Sequence, residues 1–292
     1  MLSTTRHRPL GVTAAHVIGF GLLVLATISA SGCGHRGPER SDPQVFTWNG
    51  ELKAPATLNL RSVNGPIVVQ PSPDNSVHLT AGATWHRGNP KTDLQFKVES
   101  AGSDVTICVI WGQGGCATSG SGRRPSFWTS IGRRGTDANV TLTVSVPERV
   151  KLNLVTVNGD IGVASTASVI ARTVNGNIKV ATAIGPVDAE TMNGSVDARM
   201  TTLGEDGPVR AITMNGSATA FLPEKFDATV DIASMNGRVG SDFAITTDAG
   251  STVKKNLKGA IGAGGREVKV ATMNGSAWLR KLNADGTVAA QP

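Results

Sequence analysis

Thr156-Val157-Asn158-Gly159-Asp160-Ile161 is one of seven copies of a short unit in this chain of 292 residues. Each copy has Ser or Thr, then Val or Met, then Asn-Gly, one variable residue and an apolar residue. From Asn158 onward the copies follow at steps of 17, 18, 22, 21 and 38 residues, and we interpret the last step as two steps of 19 with a degenerate copy near Lys255-Asn256-Leu257. A period near 20 residues is typical of a solenoid, in which repeats bury their apolar faces by stacking. The asparagines of the seven copies are Asn64, Asn158, Asn175, Asn193, Asn215, Asn236 and Asn274.

Two chain geometries fit this unit. Asn-Gly tolerates positive φ at both positions and therefore predicts a bend, while the flanking residues alternate with the period of a β-strand, as in Leu152-Asn153-Leu154-Val155. If each pair were a hairpin turn, the strands would be antiparallel and would form a meander. If each pair were the corner of a coil, equivalent strands would stack in parallel ~4.8 Å apart and the asparagines could form a hydrogen-bonded ladder. We favour the coil, because the motif occurs once per period.

The sequence thus predicts an all-β protein. We expect a β-solenoid, similar to a parallel β-helix and turned at Asn-Gly repeats, over residues 149–282, with a smaller β region over residues 46–148 before it and a tail over residues 283–292 after it. Glycine makes up 35 of the 292 residues, about 12%, compared with the usual ~7%, and aromatic residues make up only 4%. Such a composition favours thin layers of small side chains with many bends and argues against a helical bundle.

Residues 1–32 predict an export signal. Arg6 and Arg8 precede an apolar run, and small residues lead to Cys33. Because Cys33 follows Ala30-Ser31-Gly32, the site resembles the bacterial lipobox, whose cysteine receives a diacylglycerol; an uncleaved membrane anchor is the alternative. Residues 33–45 are polar and read as a tether. We therefore expect a lipid anchor at the bacterial cell envelope, in the outer membrane of a Gram-negative host, since Gly34 rather than Asp follows the cysteine.

The other two cysteines, Cys108 and Cys116, predict a disulfide that closes a Gly-rich loop in an oxidising compartment. The insert beside them combines basic and aromatic residues, which suit an anionic glycan or envelope polymer. A solvated loop held by the disulfide is the alternative. The residues of this candidate binding loop are Trp111, Arg123, Arg124, Phe127, Trp128, Arg133 and Arg134.

No catalytic, metal or cofactor motif stands out. The carboxylates are scattered, and we interpret the pair Asp188 and Glu190 as solvated charges on an outer strand face. The histidines have no zinc-like spacing, and the sequence predicts no cofactor. Without Arg6 and Arg8 the net charge falls from +6 to +4, which argues against a nucleic-acid partner.

Residues 140–161 contain two strand patterns with Val146-Pro147 between them and end in the motif Thr156–Ile161. They resemble the bacterial DUF4097 family of candidate adhesins. Residues 259–276 resemble its closing repeat, and the similarity extends over residues 46–282. The resemblance implies a β-solenoid at the envelope and brings no catalytic residues. We expect an exported, lipid-anchored, non-enzymatic solenoid with an adhesin-like rigid surface. Two alternatives stay open: an accessory protein of envelope stress or signalling, and a β-helix enzyme that acts on polysaccharide. The sequence indicates no oligomeric state.

Overall fold

The computed structural model describes residues 38–111, 116, 137–165, 167–182, 184–247, 255–283 and 287. Within these residues the chain forms 21 strands and one short helix, Pro90–Asp93. The described part has no helix that is both long and apolar enough to cross a membrane. The predicted signal, Cys33 and most of the candidate binding loop lie outside the described residues.

The strands form two sheets. The first sheet has ten strands, in the spatial order β1 (Arg40–Glu51), β4 (Ser76–Trp85), β7 (Asn139–Val146), β3 (Ile67–Pro71), β9 (Ile161–Ser165), β11 (Ile178–Thr182), β13 (Val196–Met200), β15 (Ala218–Pro223), β21 (Ala277–Leu282) and β17 (Val239–Ser241). The second sheet has eleven, in the order β18 (Thr246–Thr247), β19 (Asn256–Ile261), β16 (Ala228–Asn236), β20 (Arg266–Asn274), β14 (Val209–Asn215), β12 (Val187–Asn193), β10 (Val169–Arg172), β8 (Lys151–Val155), β2 (Thr57–Arg61), β6 (Asp104–Trp111) and β5 (Leu94–Ala101).

The centre of both sheets is parallel. From β8 to β15 the chain alternates between the sheets, and neighbouring strands of one sheet run in the same direction and in register. Ile161, Ile178 and Val196 form one inner row of the first sheet and are almost fully buried. Burying one such side chain contributes about 1.5–3 kcal/mol. The prediction of an all-β chain with long parallel sheets is confirmed.

The first copy of the motif belongs to this parallel stack. Asn64 forms a parallel bridge with Asn158, and β2 and β3 pair in parallel with β8 and β9. The long segment between these two copies leaves the stack and returns. It includes β4, which pairs antiparallel with β1 and β7, and β5, which pairs antiparallel with β6. Antiparallel strands therefore cover one end of the stack.

The last two copies of the motif are not in chain order. Strand β20 lies between β14 and β16, so Asn274 is the neighbour of both Asn215 and Asn236. The degenerate copy predicted near Lys255-Asn256-Leu257 is wrong, because Asn256 begins β19, which pairs antiparallel with β16. This antiparallel strand satisfies backbone groups that an edge strand would otherwise leave unpaired.

Candidate functional site

The asparagines of the motif form a ladder where the chain passes from the second sheet to the first. Each side-chain Nδ2 donates to the Oδ1 of the next asparagine at 2.8–2.9 Å. None of the seven has a positive φ, although the Asn-Gly pair tolerates it at both positions. Its amide serves the hydrogen bonds between coils. In order of donation the ladder is Asn236, Asn274, Asn215, Asn193, Asn175, Asn158 and Asn64.

The glycine of each motif allows neighbouring coils to approach closely. A Cβ on Gly159 would meet the carbonyl oxygen of Gly65, and a Cβ on Gly176 would meet that of Gly159. The glycines therefore form a second column beside the ladder. Several of them also have positive φ, for example Gly194 at 147°. Together the two columns fix the register in which the following strands of the first sheet stack.

This register aligns two rows of outward-facing side chains on the first sheet, four and six residues after each asparagine. In β11, for example, Lys179 and Ala181 are exposed whereas Ile178 and Val180 are buried. We call these rows together the basic–aromatic face. The fourth-position row is Val68, Gly162, Lys179, Asp197, Thr219, Trp278 and Gly240, and the sixth-position row is Gln70, Ala164, Ala181, Arg199, Phe221, Arg280 and Asp242.

Small side chains leave a groove in this face. The groove has a volume of about 390 Å³ and is lined by Gly162, Ala164 and Ala181, with Lys179 and Arg199 among its other lining residues. A Cβ added to Gly162 would meet no atom within 4 Å. The groove is thus open and shallow, with an apolar lining, two basic side chains and one acid, Asp197.

The basic side chains of this face are available to a ligand. The Arg199 guanidinium lies 4.6 Å from the centre of the Phe221 ring, and that of Arg280 lies 4.7 Å from the Trp278 ring. A guanidinium stacked on a ring keeps its N–H edge free for bidentate bonds to an acid. Among the described residues, no carboxylate forms an ion pair with Lys179, Arg199 or Arg280.

The outer face of the second sheet differs, because two of its arginines, Arg172 and Arg210, form ion pairs with acids of the same sheet. Arg172 Nη2 lies 2.9 Å from Asp188 Oδ2, and its Nε lies 3.2 Å from Glu190 Oε2. Arg210 Nη2 lies 2.9 Å from Glu267 Oε2. Burial raises the pKa of Asp188, and the charge of Arg172 partly opposes that rise. The two acids singled out in the sequence therefore share one arginine.

The structure describes only part of the candidate binding loop. Cys108 and Cys116 form a disulfide with 5.7 Å between their Cα atoms. Trp111 ends β6 and packs, partly buried, against the core. The other six residues of that loop, Arg123, Arg124, Phe127, Trp128, Arg133 and Arg134, lie outside the described residues.

Sequence reasoning missed the residues of the basic–aromatic face. Lys179, Arg199, Phe221, Trp278 and Arg280 are far apart in the chain, and no local motif joins them. The signal that could have found them is the repeat itself. Counting four and six residues forward from each asparagine collects all five.

Three comparisons place the chain among known proteins. Residues 96–279 match the model of a family described as Toastrack DUF4097. No curated protein matches the chain. A candidate cell adhesion protein from Clostridium sporogenes is 11% identical, with a TM-score of 0.44 over 84% of this chain and 99% of the other. A candidate adhesin from Bacteroides fragilis is also 11% identical, with a TM-score of 0.27 over 81% of this chain and 96% of the other.

Proposed function

This chain belongs to the Toastrack DUF4097 family, and on that premise we propose that it is an exported, lipid-anchored, non-enzymatic protein. It displays its basic–aromatic face to anionic polymers of the cell envelope or of the cell's surroundings. Lipid on Cys33 holds it at the membrane, and the tether is shorter than the predicted residues 33–45, since strand β1 begins at Arg40. The parallel strands, turned at Asn-Gly corners, are the coils of a β-solenoid that keeps this face rigid. Its role is adhesin-like.

The observation that carries this proposal is the contrast between the two outer faces. Arg172 and Arg210 of the second sheet are neutralised by acids of the same sheet, whereas Lys179, Arg199 and Arg280 have no ion pair among the described residues. A surface whose cations are left unpaired by the protein can pair with an acid supplied from outside.

The spacing of the cations suits a polymer better than a small anion. Lys179, Arg199 and Arg280 lie on β11, β13 and β21, which are separated by one and two strand spacings. At ~4.8 Å per spacing, the three cations extend over roughly 15 Å. A chain with repeated carboxylate or phosphate groups would contact them together, and each linked contact raises the effective concentration of the next. Trp278, which is partly exposed, adds flat apolar surface beside the charges, while Phe221 is buried and supports Arg199 from below.

The non-enzymatic part of the proposal draws support from the acids. Asp188 and Glu190 are the carboxylate pair that a polysaccharide-cleaving site would need. Both are held by Arg172. Neither acid is a neighbour of the groove, since they lie on the second sheet. We therefore expect binding without release of reducing ends from the polymer.

The experiment measures binding of the full chain to polygalacturonate, with neutral dextran as the reference polymer. The test variant is Lys179→Ala/Arg199→Ala/Arg280→Ala. The matched control, Lys53→Ala/Lys151→Ala/Lys269→Ala, removes the same charge away from the face. At low salt we expect the test variant to lose affinity roughly tenfold, about 1.4 kcal/mol, and the control to stay within about twofold. Equal losses in both variants, or none in the test variant, would refute the proposal.

A further inference from the structure

Four of the chain's six methionines stand in one exposed row beside the asparagine ladder. Met192, Met214, Met273 and Met235 each precede an asparagine of the motif. Their exposed fractions are 45%, 39%, 39% and 58%, respectively. Val174 occupies the equivalent position of the neighbouring coil and is half-buried, and Val157 of the next coil is buried. We call the four side chains the methionine row.

The row is continuous because the strands that carry it are adjacent and in register. Thr191 pairs with Thr213 and Asn193 with Asn215, so Met192 lies opposite Met214. The same argument places Met214 opposite Met273, and Met273 opposite Met235. The spatial order therefore differs from the chain order. Met214 and Met273 are the two central members, and Met192 and Met235 are the two ends.

A row of this kind needs an explanation beyond packing. A single exposed apolar side chain is ordinary. Here, however, four adjacent strands each expose an apolar side chain at the same position. Leucine or valine would fill that position as well if only bulk mattered. What methionine adds is a thioether sulfur on a side chain with three rotatable bonds. The chemistry of the row is therefore that of its sulfurs.

Thioether sulfur is a soft ligand that selects Cu(I) and similar ions over Mg²⁺, Ca²⁺ or Mn²⁺. Neighbouring strands are ~4.8 Å apart, a separation that flexible side chains can close to bring two or three sulfurs onto one ion. The described residues contain no cluster of His, Cys, Asp and Glu that could hold a metal, so harder ions have no competing site there. We propose that the methionine row is a binding site for a soft monovalent metal ion of the Cu(I) class.

The spatial order gives the site two overlapping sets of three sulfurs. One set is Met192, Met214 and Met273, and the other is Met214, Met273 and Met235. Both contain the two central residues. Loss of either end leaves one complete set, whereas loss of a central residue breaks both. Met273 is a central member because β20 lies between β14 and β16, whereas stacking in chain order would make Met235 central instead.

The experiment uses Ag(I) as an air-stable probe, because Ag(I) is a soft monovalent ion that needs no reductant in the sample. The full chain carries Cys33→Ser in every sample, since a free thiol would bind the probe. Methionines labelled with ¹³C at the methyl group report on each sulfur by NMR. We expect the four row signals to shift at stoichiometric Ag(I) and the signal of Met200, which is buried in the core, to stay in place. Unmoved row signals, or a Met200 shift as large as theirs, would overturn the proposal.

Leucine variants locate the site, since Met and Leu exchange with little change in volume. Met214→Leu and Met273→Leu, singly and together, should weaken Ag(I) binding at least about tenfold, or about 1.4 kcal/mol. Met192→Leu and Met235→Leu should each stay within about threefold. An unchanged Met200 signal verifies the fold of every variant. Equal effects of central and end variants would overturn the overlapping-set site, and retention of wild-type affinity by the double variant would overturn the row as a metal site.

Discussion

Two aspartates, Asp188 and Asp137, have carboxyl pKa values that their surroundings shift in opposite directions. Asp188 lies on β12, where burial raises the pKa of its carboxyl and Arg172 partly opposes the rise. Asp137 accepts hydrogen bonds from the backbone N–H groups of Arg87 and His86 at 2.8 and 2.9 Å. The bond from Arg87 is the main cause that lowers the pKa of Asp137, and burial opposes it. The two groups should therefore act on stability with opposite signs as the pH changes.

Asp188→Asn and Asp137→Asn should change the pH dependence of unfolding in opposite directions. With a raised native pKa, the folded state holds the Asp188 proton more tightly, so wild-type stability falls as pH rises through the window above 3.8. With a lowered native pKa, Asp137 contributes stability above 3.8 that is lost as pH falls below it. Relative to wild type, Asp188→Asn should gain stability and Asp137→Asn should lose stability on going from acid to neutral pH.

Urea unfolding of the three proteins between about pH 3 and pH 6 measures these differences, because the unfolding midpoint reports the free energy when the slope is unchanged. Parallel curves for wild type and both variants would contradict the assignment.

The role of asparagine in the motif was predictable from the sequence, whereas the role of glycine was only partly predictable. The sequence predicts that Asn158 and its equivalents could form a ladder, and the hydrogen bonds of 2.8–2.9 Å are present. It also indicates that both residues of the pair tolerate positive φ, a conformation that the asparagines do not use. The need for glycine arises from a carbonyl oxygen of another coil, such as that of Gly65 above Gly159. Such a contact is visible only once the coils are stacked.

At the scale of strands, the glycine column sets how closely the coils pack. Gly176→Ala would place a Cβ against the carbonyl oxygen of Gly159, and the two coils would have to move apart. We expect a loss of about 1–3 kcal/mol in the free energy of unfolding, as for other overpacked sites. Gly162→Ala is the matched control, since its Cβ would have open space. There we expect a change near zero or a gain of about 0.5–1 kcal/mol.

Chemical denaturation of both alanine variants provides the measurement. If Gly176→Ala were as stable as Gly162→Ala, close approach would not be the reason for glycine in the motif.

The strands were easier to predict than their order. Alternating residues and the repeat predict the parallel strands from β8 to β15. They do not predict that β20 enters between β14 and β16, because Asn236 and Asn274 carry the same motif and either would fit beside Asn215. The choice depends on the excursion through β18 and β19, which covers the far side of β16. The basic–aromatic face was missed for a related reason, since its residues meet only through the register of the coils.

At the scale of the whole chain, the inserted coil can be tested by cross-linking. In a Cys33→Ser background, Met214→Cys/Met273→Cys places two thiols on adjacent strands in register. Parallel neighbours lie ~4.8 Å apart, within the range that a disulfide can bridge. Met214→Cys/Met235→Cys places them about 10 Å apart, with β20 between. We expect mild oxidation to cross-link the first pair and leave the second open.

Mass spectrometry of the oxidised proteins counts the free thiols. A cross-link in the second pair but not in the first would mean that the last two coils stack in chain order.

The edge strands of the two sheets determine whether a strand of another molecule can be added there. In the described chain, the first sheet ends in β17, which has three residues, and in β1, which contains Pro43 and a break in register between Asp42 and Phe46. At one edge of the second sheet lies β18, with two residues. Stacked parallel strands with an asparagine ladder are also the arrangement by which amyloid fibres grow, and short, bent or proline-bearing edges are poor templates for it. Among the described strands, three of the four sheet edges are therefore poor templates for another strand, whereas β5, with eight residues and no proline, is the edge long enough to accept one.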